Sequence, residues 1–373
     1  MSVAVLGAGA LSVYLTVETL RHRQNLQRVP LRIAVTGTRG KSSVVRLLAA
    51  VLCQSGSVVL AKTTGTEPQL ILPNGEEERI RRRGGPSIIE QKKVMRRAAR
   101  EKVDTLVVEL MSIHAENHRV ESQRLIRPQI LILTNTRPDH FEGQGHAEEV
   151  AAVLAEDIGP GMDVFLPAPL LDGVIAQKCS AVGAVPHAVQ GKLDDDFGVE
   201  NQRLVRAVTA FLGVNAETVN RGLNAAASDP GVAALWEIHR HGKTVYFANG
   251  FAANEPQSTM MLIEAAQKQC PSPLLPMGLL ALRGDRGDRS AQWAAFLRTH
   301  RLFDPCFVAG GHARAFVRQV KHATRLRSAS PEALTHRLIC EAADGQVIVG
   351  LGNWMGTGSA LVEYWNAIGK RLS

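Results

Sequence analysis

Short apolar runs alternate with stretches of helical periodicity along most of this chain. Leu31–Thr36 is one such run and reads as a strand. Behind it, Val44, Leu47, Leu48, Val51 and Leu52 recur on one helical face across Ser42–Gln54, with Gly56 just past the end. Val103–Leu110 and Ile130–Thr134 are almost continuously apolar, as strands covered on both faces must be. Glu109 therefore closes one strand, and Thr134–His140 follows another. Open α/β sheets place their ligands at those carboxyl ends. After the Ser-Asp-Pro-Gly punctuation at Ser228–Gly231 the alternation resumes. Thr244–Ala248, Leu274–Leu282 and Val347–Gly350 read there as strands, and Thr259–Lys268, Arg289–Thr299 and Pro331–Cys340 as helices. The pattern predicts α/β architecture: a mostly parallel sheet domain over residues 31–227 and a smaller doubly wound, Rossmann-like domain over residues 228–373.

Residues 1–30 break this pattern. No charge occurs from Met1 to Val17, Glu18 ends the run, and Arg21, His22, Arg23 and Arg28 follow. A spanning helix needs about 20 apolar residues, so this segment is expected to be a short membrane-anchor helix whose basic flank keeps the rest of the chain on the cytoplasmic side of the cell membrane. Ala4, Ala8 and Ser12 would give that helix a small-residue face for another membrane helix. The same stretch imitates a dinucleotide fingerprint at Gly7 and Gly9. Ser12 stands where the third glycine belongs, however, and the next strand ends in Thr36 rather than an acid.

Composition narrows the class. With 45% hydrophobic and 21% charged residues, the 373-residue chain is that of a folded protein. A net charge of +8 points to an anionic partner. Part of the charge is clustered, at Arg79, Arg81, Arg82 and Arg83 and at Lys92, Lys93, Arg96, Arg97 and Arg100. The five cysteines are scattered and include no C-x-x-C pair, which argues for reduced thiols and against both a disulfide framework and a zinc site.

Chemistry concentrates in "VTGTRGKSS". Gly37, Thr38, Arg39, Gly40, Lys41, Ser42 and Ser43 join a strand to a helix, with Val35 where the usual phosphate loop has its first glycine. Two glycines admit a phosphate to the backbone, and the helix N-terminus offers N–H groups and positive dipole charge. Lys41 can reach the terminal phosphates, and the Ser42 hydroxyl suits Mg²⁺. Glu109, an acid ending a buried strand, fits a metal ligand opposite Ser42. His140, in "TRPDHFEGQG", is a candidate for a second ion. His114 and His118, four apart, lack the glutamate of a zinc-protease helix and read as surface or substrate-side groups. In the C-terminal part, "ANGFAANEP" and "LRGDRGDRS" follow strands; Asp285 suits ribose hydroxyls, and Arg283, Arg286 and Arg289 suit phosphate charge.

In this order, "TGTRGKSS", "VEL", "TRPDHFEGQG", "ANGFAANEP" and "GDRGDR" resemble the Mur-type amide ligase superfamily. "KTTGTEPQLI", "GPSIIEQKKVMR", "DPG" and "VGLGNWMG" narrow the resemblance to the catalytic subunit of poly-γ-glutamate synthase, the PgsB/CapB family, over essentially the whole chain. The resemblance implies a Mur-ligase-like P-loop ATPase domain, ATP with Mg²⁺ (or Mn²⁺), and a glutamate carboxylate activated as an acyl phosphate and captured by the amine of another glutamate. It implies catalytic roles for Lys41, Glu109, His140 and Arg286, and nucleotide contacts by Gly37–Ser43, Asn254 and Asp285. The metal would lie on Ser42, Glu109 and His140, and substrate contacts would fall on Thr63, Thr64, Glu90, Gln91 and Arg283. The implied partners are glutamate, its anionic polymer, which the basic clusters would attract, and multi-span and surface-exposed subunits of a membrane synthase complex, with homo-oligomers possible and no nucleic acid.

Two departures stand out. Many Mur-type ligases carry a carbamylated lysine soon after the aspartate–histidine pair, yet no lysine occurs here between His140 and Lys178. Either Glu156 or Asp157 substitutes, or a second metal is held differently. Val232 also follows Gly231 where Mur ligases carry an arginine. The competing readings are a Mur-type ligase for a folate or peptide, and a nucleotide-sensing subunit of a membrane complex.

Overall fold

Residues 3–65, 68–82, 84–136, 147–191, 197–226, 234–252, 256–270, 272, 274–327 and 330–372 are described by the computed structural model. The chain divides into two units, Met1–Asp229 and Pro230–Ser373.

The first unit runs α1 (Val3–Arg28), β1 (Leu31–Thr36), α2 (Lys41–Gln54), β2 (Val59–Thr63), β3 (Gln69–Ile71), β4 (Glu77–Arg79), α3 (Glu90–Arg100), β5 (Thr105–Glu109), α4 (Ala115–Val120), β6 (Ile130–Leu133), α5 (Ala147–Ala155), β7 (Asp163–Pro167), α6 (Gly173–Val182), β8 (Val185–Val189), α7 (Phe197–Phe211) and α8 (Ala216–Ala225). Its sheet has the order β4-β3-β2-β5-β1-β6-β7-β8, with β3 and β4 antiparallel at one edge and the rest parallel. Alternation sorts the side chains to two cores. Ile33, Val35 and Val107 pack with α2, α7 and α8, while Ala34, Leu106 and Val108 pack with α3, α5 and α6. Covered on both faces, β1, β5 and β6 are apolar through their middles, with polar residues towards the ends of β1 and β5, which makes them readable in the sequence.

In the second unit the elements are β9 (Leu235–Arg240), β10 (Lys243–Gly250), α9 (Pro256–Gln269), β11 (Met277–Leu282), α10 (Gly287–Thr299), β12 (Cys306–Gly310), α11 (Ala313–Gln319), β13 (Ala323–Arg325), α12 (Pro331–Glu341), β14 (Val347–Gly352), α13 (Ser359–Ile368) and β15 (Lys370–Arg371). The sheet order is β13-β12-β11-β14-β10-β9-β15, parallel except for β9 and β15. The strand expected from Leu274 begins only at Met277, after Pro276, whose ring nitrogen has no hydrogen for the ladder.

The expected anchor needs correction. Val3–Arg28 is helical, but among the described residues no helix is long and apolar enough to cross a membrane. The uncharged run ends at Glu18, short of a bilayer span. Beyond that point the helix is tied to its own domain. Glu18 pairs with Lys92 at 3.0 Å, the His22 ring lies 3.0 Å from the Leu125 carbonyl, and Leu26 is buried.

Candidate active site

β1 delivers the phosphate loop to the carboxyl-end rim of the first sheet, and the residues after β6 fix its shape. The Thr38 hydroxyl donates to Asn135 Oδ1 at 2.5 Å, and the Thr38 N–H donates to the Asn135 carbonyl at 3.1 Å. The Arg39 carbonyl accepts from Thr134 Oγ1 at 2.6 Å and Asn135 Nδ2 at 3.0 Å. Gly37 and Gly40 hold φ of 127° and 79°, a region that side chains resist. A Cβ on Gly37 would also collide with Thr134 Oγ1, and one on Gly40 would lie 2.6 Å from Asn201 Oδ1. Gly40 then begins α2, so the free N–H groups of that helix face the loop. Lys41 Nζ donates to the Gly37 carbonyl at 2.6 Å, which keeps its charge over the same turn.

Ser42 and Glu109 meet as the sequence pattern requires. Ser42 Oγ donates to Glu109 Oε2 at 2.7 Å, and the Thr64 N–H donates to the same oxygen at 2.7 Å. Gly65 closes this corner, where an added Cβ would lie 2.5 Å from Ser42 Oγ. Octahedral Mg²⁺ at about 2.05 Å puts adjacent ligand oxygens about 2.9 Å apart. A hydroxyl and a carboxylate oxygen already at 2.7 Å are therefore the right donors at close to the right separation. Glu109 is 3% exposed, a cost offset only by such partners or a cation. His140, Asp139 and Asn254 lie outside the described residues.

Several of the residues expected at substrate also bond buried neighbours. Gln91, expected at substrate, is fully buried; its Nε2 donates to the Glu109 carbonyl at 3.2 Å and to Glu121 Oε1 at 2.6 Å. Glu90 lies 2.9 Å from Lys62 Nζ and accepts a two-point contact from Arg82 at 2.8 and 3.0 Å. Burial alone would push the Glu90 carboxyl up, but Arg82 and Lys62 outweigh it and hold it at about 2. For Lys62, removal from water outweighs the attraction of Glu90, and its ammonium is lowered. Burial raises Glu121, against the pull of Ser112, Gln91 and Lys62. Thr63 is also buried, with a hydroxyl that has no partner among the described residues, whereas Thr64 is half-buried and uses its N–H on Glu109.

His118 corrects another expectation. It is buried rather than on the surface, with Nδ1 2.9 Å from Asp157 Oδ2, while His114 is exposed. Asp157 Oδ2 also accepts from the Thr36 hydroxyl at 2.6 Å, so this pair braces the strand end that launches the phosphate loop. Desolvation lowers the imidazole, but Asp157 more than restores it, and the net direction is upward. Of the two acids weighed against the missing lysine, Asp157 is thus fully buried below the loop, and Glu156 is half-buried and pairs with Lys178 at 3.0 Å. The signal for this network was present, since Lys62 and Asp157 interrupt otherwise apolar surroundings. Spacing alone did not reveal their partners.

The basic clusters are answered from within only in part, and Arg79, Arg81, Lys93 and Arg96 are exposed. Lys92 pairs with Glu18, Arg82 with Glu90, and Arg97 with Glu78 and Glu101, leaving Arg100 mostly exposed.

In the second unit, the carboxyl ends of β11, β12 and β14 form a rim. Arg283 grips Asp285 through Nε at 2.9 Å and an end nitrogen at 2.6 Å, and this guanidinium lowers the exposed carboxyl. Arg286 is exposed at the start of α10, and Arg289 donates to Asn353 Oδ1 at 3.2 Å. Asn353 is itself fixed by its Nδ2, 3.1 Å from the Ala281 carbonyl. Gly310 (φ 103°) and Gly311 let β12 run against Leu282 and Gly284.

Residues 35–156 match the Mur ligase middle domain, and residues 235–368 match the poly-gamma-glutamate synthase CapB C-terminal domain. The capsule biosynthesis protein CapB of Bacillus anthracis is 30% identical over 296 residues, an alignment spanning 76% of this chain and 64% of that protein's length. The PGA synthase CapB of Bacillus subtilis (strain 168) is 26% identical over 381 residues, 97% of each chain. Among solved structures, the bifunctional folylpolyglutamate synthase/dihydrofolate synthase from Yersinia pestis complexed with AMPPNP and Mn ion superposes with a TM-score of 0.67 at 15% identity, covering 94% of this chain and 91% of that one. At that identity it establishes the shared fold.

Proposed function

We propose that the chain, which matches the Mur ligase middle domain and the CapB C-terminal domain and is 26–30% identical to two CapB proteins, is an ATP-dependent amide ligase that polymerises glutamate through γ-amide bonds. The observation that carries the reading is the 2.7 Å meeting of Ser42 Oγ with the Glu109 carboxylate at the foot of the phosphate loop.

In this reading, Ser42 and Glu109 hold a divalent cation, Mg²⁺ by their all-oxygen chemistry, and the cation supplies charge neutralisation at the phosphates. His140 is assigned to a further metal contact. The backbone N–H groups of Gly37–Ser43 and the Lys41 ammonium, released from the Gly37 carbonyl, bind and orient the triphosphate. A glutamate γ-carboxylate oxygen attacks the γ-phosphorus of ATP, giving an acyl phosphate and ADP. The amine of a second glutamate then attacks the acyl carbon; the amide forms, phosphate leaves, and the amine proton passes to solvent. No protein nucleophile is consumed, so catalysis is positioning and neutralisation of charge. Arg286 and Arg283 are assigned to the phosphate and substrate charge, and Asp285 and Asn254 to the nucleoside. Thr64, Thr63 and Glu90 line or brace the substrate side.

The partners in this proposal are glutamate, its anionic polymer and membrane subunits of a synthase complex. Work at the cytoplasmic face of the cell membrane belongs to the same proposal. It is supported by the capsule role in the name of the anthracis relative, and it does not depend on a spanning helix. A folate-directed ligase shares the fold, but a likeness at 15% identity does not select that substrate.

The test supplies ATP, Mg²⁺ and radiolabelled glutamate to the chain together with its membrane fraction and follows acid-precipitable polymer and released phosphate. Lys41→Ala and Glu109→Ala are each expected to lower both by about 100-fold or more. Polymer formation at the wild-type rate in either variant would overturn the site. Glutamate transfer onto a folate without polymer would overturn the substrate.

A further inference from the structure

The hairpin between β9 and β10 places a histidine against the outer side of α12. His241 (φ 54°) and Gly242 (φ 71°) both adopt left-handed backbone, as a two-residue hairpin turn requires, which fixes His241 at the tip. His336 and Cys340 stand four apart on α12 and so share one face. Leu334, Leu338 and Ile339 of the same helix are buried, whereas His241, His336 and Cys340 are all exposed. One donor atom from each of the three lies within 4.8 Å of the others. The two imidazole centroids are 4.9 Å apart with perpendicular rings. Cys340 Sγ is 3.8 Å from Nδ1 and 3.9 Å from Nε2 of His336.

We propose that His241, His336 and Cys340 form a site for a divalent transition-metal ion, with Zn²⁺ the best match, separate from the Ser42–Glu109 site. Two imidazole nitrogens and a thiolate are the donors that zinc and its neighbours prefer, while Mg²⁺ seeks oxygen. Tetrahedral Zn²⁺, with bonds of about 2.05 Å to nitrogen and 2.3 Å to sulfur, sets donor separations near 3.3–3.6 Å. The observed spacing reaches that with small rotations of exposed side chains. Water fills the fourth position. On binding, the Cys340 thiol gives its proton to solvent and each imidazole uses a neutral nitrogen. Nearby cations do not compete for the thiolate. Lys243 Nζ donates to the Ala342 carbonyl at 2.7 Å, and Arg337 pairs with Glu341 at 2.6 Å. The bound ion clips the hairpin tip to α12. The sequence argument against zinc rested on C-x-x-C spacing, and a ligand set drawn from a turn and a helix nearly a hundred residues away does not show in spacing.

The experiment titrates the full chain with Co²⁺ under reducing conditions, without nucleotide, and follows the thiolate-to-cobalt charge-transfer absorption; Zn²⁺ is then added to displace it. One Co²⁺ per chain with that band is expected, bleached by Zn²⁺ and lost in Cys340→Ser. His241→Ala and His336→Ala should each weaken binding by more than the roughly 10- to 100-fold that losing an outer-shell partner costs. Absence of the band in the wild-type chain, or its survival in Cys340→Ser or with both histidines replaced, would overturn the proposal.

Discussion

The two sheets end in rims that look alike in sequence and differ in construction. Each places glycines and charged residues after parallel strands. In the first unit the rim is fixed at long range: Thr134, Asn135, Glu109 and Asp157 all reach the loop or its strand from distant parts of the chain, and most are buried. In the second, the Arg283–Asp285 grip spans two residues and is open to water, although beside it Arg289 bonds Asn353 over a separation of 64 residues. Rigid, desolvated groups can be aimed at developing charge with no reorganisation. Exposed, locally paired arginines are suited to exchanging one anion for another. In the proposed reading, the first rim is preorganised for the reaction, while the second carries an exposed charge pair that an anion can re-partner.

The contrast is sharpened first by attacking the support beneath the first rim. Glu90→Gln leaves the buried Lys62 ammonium without its counter-ion, and a loss of about 3–5 kcal/mol in urea unfolding is expected. The pH dependence follows from the direction of the shift. The folded carboxyl sits at about 2, below its ordinary value of 4.5. Its contribution is therefore complete above pH 4.5 and disappears as pH falls through about 2. Stability measured across that acid window should slope less in Glu90→Gln than in the wild type. An equal slope would remove the ion pair from the account.

Gly37→Ala comes next. The left-handed backbone and the collision with Thr134 predict a loss of about 1–3 kcal/mol, together with weaker nucleotide binding by calorimetry. Tolerance of alanine with unchanged affinity would mean the loop is not held as described.

His118 gives a smaller effect, of opposite pH sign. Its raised imidazole stabilises the fold below pH 6.5, and the gain is lost as pH rises through the folded value. His118→Asn should flatten that alkaline decline in thermal midpoint. Smallest is Arg283→Ala on the second rim, which should leave the thermal midpoint within experimental error because the pair is exposed. A large drop would show that this rim is also part of the scaffold.

How much was legible depends on what each residue answers to. β1, α2, β5 and β6 could be read because two-sided burial and helical periodicity are written locally, and the meeting of Ser42 with Glu109 because both lie at the carboxyl ends of neighbouring strands. Gln91 and His118, which are buried, and Glu90, which is half-buried, were less legible for the opposite reason. Polar residues in a motif suggest contact with substrate, yet these three face buried partners, Glu121, Lys62 and Asp157, that lie far along the chain. The N-terminal helix runs Val3–Arg28, much as expected, but it is not apolar enough to cross a membrane. An uncharged run suggested a membrane span, but the pairing of Glu18 with Lys92 and the burial of Leu26 assign its second half to the domain.

The central claim is that Ser42 and Glu109 share one divalent cation on the triphosphate. The direct measurement is AMPPNP affinity as a function of Mn²⁺ concentration, by calorimetry and by the electron paramagnetic resonance of the bound ion, in the wild-type chain, Ser42→Ala and Glu109→Gln. The account predicts that Mn²⁺ strengthens nucleotide binding in the wild type and that each variant loses most of this dependence while retaining metal-free affinity. Undiminished Mn²⁺ dependence in both variants would contradict it.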